Sequence, residues 1–88
     1  MKRVLLTGAG GAIGAHVFAY LLQKTEWQIV LTDSFRHKGY CDRIEMVTRD
    51  IDDATLERVT LISHDLTAPF TEREIKRIGH IDYIVNLA

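Results

Sequence analysis

The sequence predicts an α/β fold built on a parallel sheet, and three observations predict it. Short apolar runs recur at Arg3–Thr7, Trp27–Thr32, Val59–Ser63 and Ile81–Leu87. Stretches with helical spacing separate them. A glycine cluster, Gly8, Gly10, Gly11 and Gly14, follows the first run directly. Strands that alternate with helices imply parallel pairing through right-handed crossovers.

Each element has its own reason. RVLLT, residues 3–7, is continuously apolar, as a strand buried on both faces should be. From Ala12 to Lys24 the spacing turns helical. Ile13, Val17 and Leu21 recur every fourth residue beside Phe18 and Leu22, a stripe expected to face a core. WQIVLT, residues 27–32, is the second strand and ends at Asp33. Residues 34–53 are polar. Ile44, Val47 and Ile51 favour a short helix there, although Arg43–Val47 also reads as a strand. A helical turn is expected over 53–58. VTLIS, residues 59–63, is the third strand. Pro69 breaks the chain. Thr71 with Glu74 three residues later is a capping box that starts a helix ending near Gly79. The fourth strand is expected over residues 81–87.

Composition narrows the function classes. The 88 residues allow one small domain, and 47% hydrophobic residues are too many for a disordered chain. A net charge of -1 gives no reason to expect a nucleic-acid or membrane partner. Apolar runs stay far below the roughly 18 residues that span a bilayer. Met-Lys-Arg leads into a strand without a signal-peptide layout, and the single Cys41 suits a reducing compartment, so a cytoplasmic location is expected.

The glycine cluster has a physical use. Unpaired amides and the positive dipole end make a helix N-terminus attract anions. Glycine lets the turn close and lets a pyrophosphate approach bare backbone. A G-x-G-x-x-G reading fails, because position 13 is Ile, and no Gly-Lys-Ser/Thr is present. The spacing that fits is T-G-x-x-G-x-x-G on Thr7, Gly8, Gly11 and Gly14. Asp33 ends the second strand 19 residues after Gly14. A carboxylate about 20 residues on accepts from both adenine-ribose hydroxyls and repels a 2′-phosphate. NAD is therefore expected over NADP. Arg36, in the basic run Arg36-His37-Lys38, argues mildly the other way.

Four motifs together resemble the N-terminal part of the extended short-chain dehydrogenase/reductase family, and more narrowly its NAD-dependent nucleotide-sugar epimerases and dehydratases. They are TGAGGAIGAH (7–16), VLTD (30–33), HDLT (64–67) and DYIVNLA (82–88), in order along the whole chain. The resemblance implies a Rossmann-type three-layer sandwich with a parallel sheet in the order 3-2-1-4. Residues 1–88 would be the first part of an NAD(P)-binding domain, and the substrate portion of a longer protein would lie elsewhere.

Carried over residue by residue, Gly8, Gly11, Ala12, Ile13 and Gly14 would line the pyrophosphate. Asp33, with Ser34 or Arg36, would hold the adenine ribose. Asp65 would accept from the adenine amino group, or else cap the turn at Thr67–Pro69. Leu66 would pack on the ring. Leu87 and Ala88 would lie against the adenosine, or else belong to the sheet core. His16 reads as a helix residue packed near the loop. The implied substrate is a nucleotide sugar, and a homodimer, if formed, would use other parts of the protein.

The family's catalytic Tyr-x-x-x-Lys is expected downstream of these residues. Tyr20 to Lys24 has that spacing but lies on the first helix, and Tyr20 is roughly 9 Å past Gly14 at 1.5 Å per residue. It runs away from the carboxyl edge of the sheet, where such sites form. Tyr20 is expected to pack against the sheet or a neighbouring helix. The histidines lack metal-ligand spacing. Ile81, Tyr83, Ile84, Val85 and Leu87 suit a strand inside a larger sheet. Two other readings stay open: an NADP-dependent reductase of the same fold, and a non-catalytic dinucleotide-sensing module.

Overall fold

The computed structural model describes residues 1–34, 40–65 and 67–87. The element order is β1 (Arg3–Thr7), α1 (Ala12–Lys24), β2 (Gln28–Asp33), α2 (Tyr40–Thr48), α3 (Asp53–Leu56), β3 (Val59–Ser63), α4 (Glu72–Ile78) and β4 (Tyr83–Asn86). The four strands form one parallel sheet in the order β3-β2-β1-β4. This is the expected Rossmann-type arrangement.

Alternation along each strand divides the core in two. Val4, Leu6, Ile29 and Leu31 face α1, where Phe18, Leu21 and Leu22 meet them, and Ile44 and Val47 of α2 close the rim. Leu5, Val30 and Ile62 point to the opposite face, where Ile78 of α4, Phe70 and Ile81 cover them. β1 and β2 are thus buried on both sides, which is why their sequences are apolar without alternation. Each fully buried Leu, Ile or Phe contributes about 1.5–3 kcal/mol.

Local signals set the helix ends. Thr71 Oγ1 accepts the Glu74 amide at 3.2 Å, and Glu74 Oε1 accepts the Thr71 amide at 2.8 Å, so the capping box forms as expected. Gly79 ends α4 at φ 70°. Arg3 reaches the same helix end, with Nε donating to Ile78 O at 2.6 Å and Nη2 to Arg77 O at 2.9 Å. A cation there complements the negative end of the helix dipole. Arg58 does the same for α1, donating to the carbonyls of Leu22, Thr25 and Trp27 at 2.7, 2.8 and 3.0 Å.

Three expectations are corrected. Ile13 is 70% exposed, so the buried stripe of α1 is Gly14, Ala15, Phe18, Leu21 and Leu22. At about 100° per residue Ile13 stands on the side of the helix roughly opposite that stripe, although Gly14 and Ala15 in the same turn are buried. Tyr20 is 62% exposed and does not pack on the sheet, because it lies on the solvent side of that stripe. His16 is exposed as well. The expectation that β4 suits a strand inside a larger sheet is not among them: β4 is the last strand at its edge among the described residues, and Tyr83 and Ile84 are exposed there.

Candidate dinucleotide site

β1 ends at Thr7, and the chain turns at once into α1. Gly8 takes φ 72°, a left-handed conformation that a side chain would disfavour. Its amide donates to Thr32 O at 3.0 Å, which ties the turn to β2. The Gly11 amide donates back to Gly8 O at 3.2 Å. Gly14 lies where a Cβ would meet the Gly8 carbonyl oxygen, so the third glycine is needed for close approach of helix and turn.

The mouth of α1 is chemically bare. Gly11 is the N-cap, no side chain caps the helix among the described residues, and no acidic residue lies in the first turn. The first amide bonded back within the helix is that of Ala15, to Gly11 O at 2.9 Å. Helix geometry leaves the amides of Ala12, Ile13 and Gly14 without an intrahelical partner. Ala12 and Ile13 are exposed. The positive end of the dipole is therefore not neutralised from within the helix.

Asp33 completes the arrangement. It ends β2, is 7% exposed, and its Oδ2 accepts the Gly10 amide at 2.9 Å. A buried carboxylate thus adjoins the residue before the helix cap. On the other flank Thr7 Oγ1 donates to Asn86 Oδ1 at 2.5 Å, and the Leu87 amide donates to Thr7 O at 3.1 Å, joining β1 to the end of β4. Backbone amides, a carboxylate and the carboxyl ends of strands meet at one edge of the sheet, where ligands of open α/β sheets bind.

A family model described as GDP-mannose 4,6 dehydratase matches residues 5–88. The chain belongs to this family. Its likeness to the N-terminal region of extended short-chain dehydrogenases/reductases of the epimerase and dehydratase kind is thereby shown. Solved structures carry the same fold. The terminal R domain from the myxalamid PKS-NRPS biosynthetic pathway is 24% identical with a TM-score of 0.73, over 100% of this chain and 24% of that one. UDP-glucuronic acid 4-epimerase from Bacillus cereus in complex with NAD is 23% identical with a TM-score of 0.71, over 99% and 26% of the two chains. A mutant of that epimerase, in complex with UDP-4-deoxy-4-fluoro-glucuronic acid and NAD, is 24% identical with a TM-score of 0.72, over 98% and 26%. The chain thus spans about a quarter of the structures it matches. A search of curated proteins found no match.

Within this family member the structure brings together Gly8, Gly11, Ala12, Ile13, Gly14 and Asp33. Ser34 follows Asp33 directly and is partly exposed. Asp65 stands at the start of the turn after β3. Its Oδ1 accepts from the Thr67 amide at 3.0 Å and the Thr67 hydroxyl at 2.9 Å, so the turn-capping alternative is present. Leu87, just after β4, is 39% exposed. Arg36, Leu66 and Ala88 lie outside the described residues. Tyr20 and Lys24 lie on the far half of α1, and both are exposed. No described helix is long and apolar enough to cross a membrane.

Sequence reasoning missed three participants. Gly10 falls outside the T-G-x-x-G-x-x-G spacing, yet its amide meets Asp33. Arg43 was read only as part of a polar stretch, yet its Nη1 donates to Gly10 O at 3.2 Å. The Thr7–Asn86 pair joins residues 79 apart. Only a positioned sheet reveals such pairs.

Proposed function

We propose that residues 1–88 are the cofactor-holding N-terminal part of an NAD-dependent epimerase or dehydratase acting on a nucleotide sugar. The contact between Asp33 Oδ2 and the Gly10 amide carries this reading. It sets a carboxylate beside the bare amides of α1, so one ligand with a diphosphate and an adjoining ribose can engage both. The residues present fit such a ligand. Gly14 keeps a side chain out of the turn, and no acidic group opposes a diphosphate in the first turn of α1.

Gly8, Gly11, Ala12, Ile13 and Gly14 would face the diphosphate with backbone rather than side chains. Exposed Ile13 would gain cover from the ligand. Asp33, with Ser34, would accept from the ribose hydroxyls. Asp65 and Leu87 would flank the adenosine. The chemistry that NAD supplies when bound is reversible removal of a hydride from a sugar carbon bearing a hydroxyl, which yields a ketone and permits inversion or water loss. The Tyr-x-x-x-Lys pair and the sugar pocket of such an enzyme belong to other residues than these, in a longer, cytoplasmic protein. The two NAD-bound epimerase structures that share the fold support the choice of cofactor.

Titration calorimetry with NAD and NADP tests the reading. The wild-type chain should prefer NAD. Asp33→Ala should weaken NAD by about tenfold or more and NADP far less, since a hydrogen bond to a charged group is worth about 1.5–3 kcal/mol. A wild-type preference for NADP that Asp33→Ala leaves intact would favour the reductase reading. Binding of neither dinucleotide would refute the proposal.

A further inference from the structure

We propose that Arg43 is a positioning residue of the dinucleotide site, acting through the Gly10–Gly11 peptide; this rests on the dinucleotide reading above. Gly10 and Gly11 form the most conformationally free dipeptide in the turn, and their order must come from outside. The structure supplies it from three directions. The Gly10 amide is held by Asp33 Oδ2 at 2.9 Å. The Gly10 carbonyl is held by Arg43 Nη1 at 3.2 Å. The Gly11 amide, on the far side of the same peptide plane, is held by Gly8 O at 3.2 Å. Arg43 therefore fixes the direction of the peptide dipole that immediately precedes the helix cap.

The electrostatic sense favours an anion. A carbonyl oxygen paired with a guanidinium is kept from turning its negative end toward an arriving phosphate. The amides of the turn and of the first helical turn then keep a common orientation before any ligand binds. Preorganisation of this kind improves affinity by removing an ordering cost from the binding step. It also makes α2 part of the site, because Arg43 lies on that helix while Ile44 and Val47 anchor the same helix to the core. Those apolar anchors remain when Arg43 is replaced, so the variants should fold.

The test combines amide hydrogen exchange by NMR on the ligand-free full chain with NAD titration of the same samples. In Arg43→Ala the Gly10 and Gly11 amides should exchange about tenfold faster, with the Ala15 amide unchanged as an internal reference. NAD affinity should fall about tenfold, and Arg43→Lys should recover part of both. If wild type binds NAD and Arg43→Ala alters neither readout, or only one of them, Arg43 does not position the loop and the dinucleotide reading still stands. If wild type binds no NAD, that reading and this one fail together. Should Arg43→Ala lose its helical signal, Arg43→Lys decides by the same two measurements: unchanged exchange and affinity overturn the assignment, and intermediate values support it.

Discussion

Gly14 packs so closely on Gly8 that a Cβ added to it would stand 2.1 Å from the Gly8 carbonyl oxygen and 3.0 Å from the Ala9 Cα. Both neighbours are backbone, so neither can swing away as a flexible side chain would. The contact explains why the third glycine of the cluster sits inside a helix, where glycine costs about 1 kcal/mol against alanine.

Gly14→Ala should therefore destabilise the fold despite its better helix propensity. The expected loss is about 2–3 kcal/mol, in the range of core overpacking. Chemical denaturation would show a lower midpoint, and dinucleotide binding should fall with it. A variant as stable as wild type would mean that the turn and helix are not in contact.

Thr32 tests the opposite sign. Its Oγ1 is fully buried and has no hydrogen-bond partner among the described residues. Thr32→Val removes the unpaired hydroxyl while nearly preserving shape. It should be neutral or stabilising by about 1 kcal/mol, read from the same denaturation curves.

Arg58 joins three carbonyls across the end of α1 and the start of β2. Arg58→Met keeps much of the apolar stem and loses all three hydrogen bonds. A loss of about 3 kcal/mol is expected. Hydrogen exchange should place the damage at the C-terminal turn of α1, where the Thr25 amide donates to Leu21 O.

Glu74 gives a pH prediction. The Thr71 amide, followed by the Thr71 hydroxyl and His64, holds its carboxyl below the ordinary value of 4.5, against a smaller opposing effect of burial. A lowered folded value means that the stabilisation is complete above about 4.5 and is lost as pH falls through the folded value. The His64 ring extends this link, with Nδ1 2.9 Å from Glu74 Oε2 and Nε2 2.9 Å from Ala68 O. Thermal melts below pH 5 should be less pH-dependent in Glu74→Gln than in wild type. Some dependence should persist, because the Arg3 amide likewise holds the Asp82 carboxyl below its ordinary range.

Much of this protein was legible in one dimension. The strands, the capping box at Thr71 and the end of α4 at Gly79 followed from periodicity and short-range chemistry, and the strand order from the family resemblance. These signals act between neighbours a few residues apart, so their physics is written locally. The glycine spacing and the position of Asp33 likewise mark one edge of the sheet.

Other features depended on the assembled fold. A spacing of four fits more than one stripe on a helix, and only packing showed that the buried one runs through Gly14, Ala15, Phe18, Leu21 and Leu22 and leaves Ile13 on the opposite side. The meeting of Asp33 and Arg43 at Gly10 and the pairing of Thr7 with Asn86 unite residues 23 to 79 positions apart. Such contacts exist only once parallel pairing has aligned the strand ends, because hydrogen bonds act over about 3 Å and carry no trace along the chain. Local chemistry announced a loop suited to an anion; three-dimensional packing chose the side chains that hold it still.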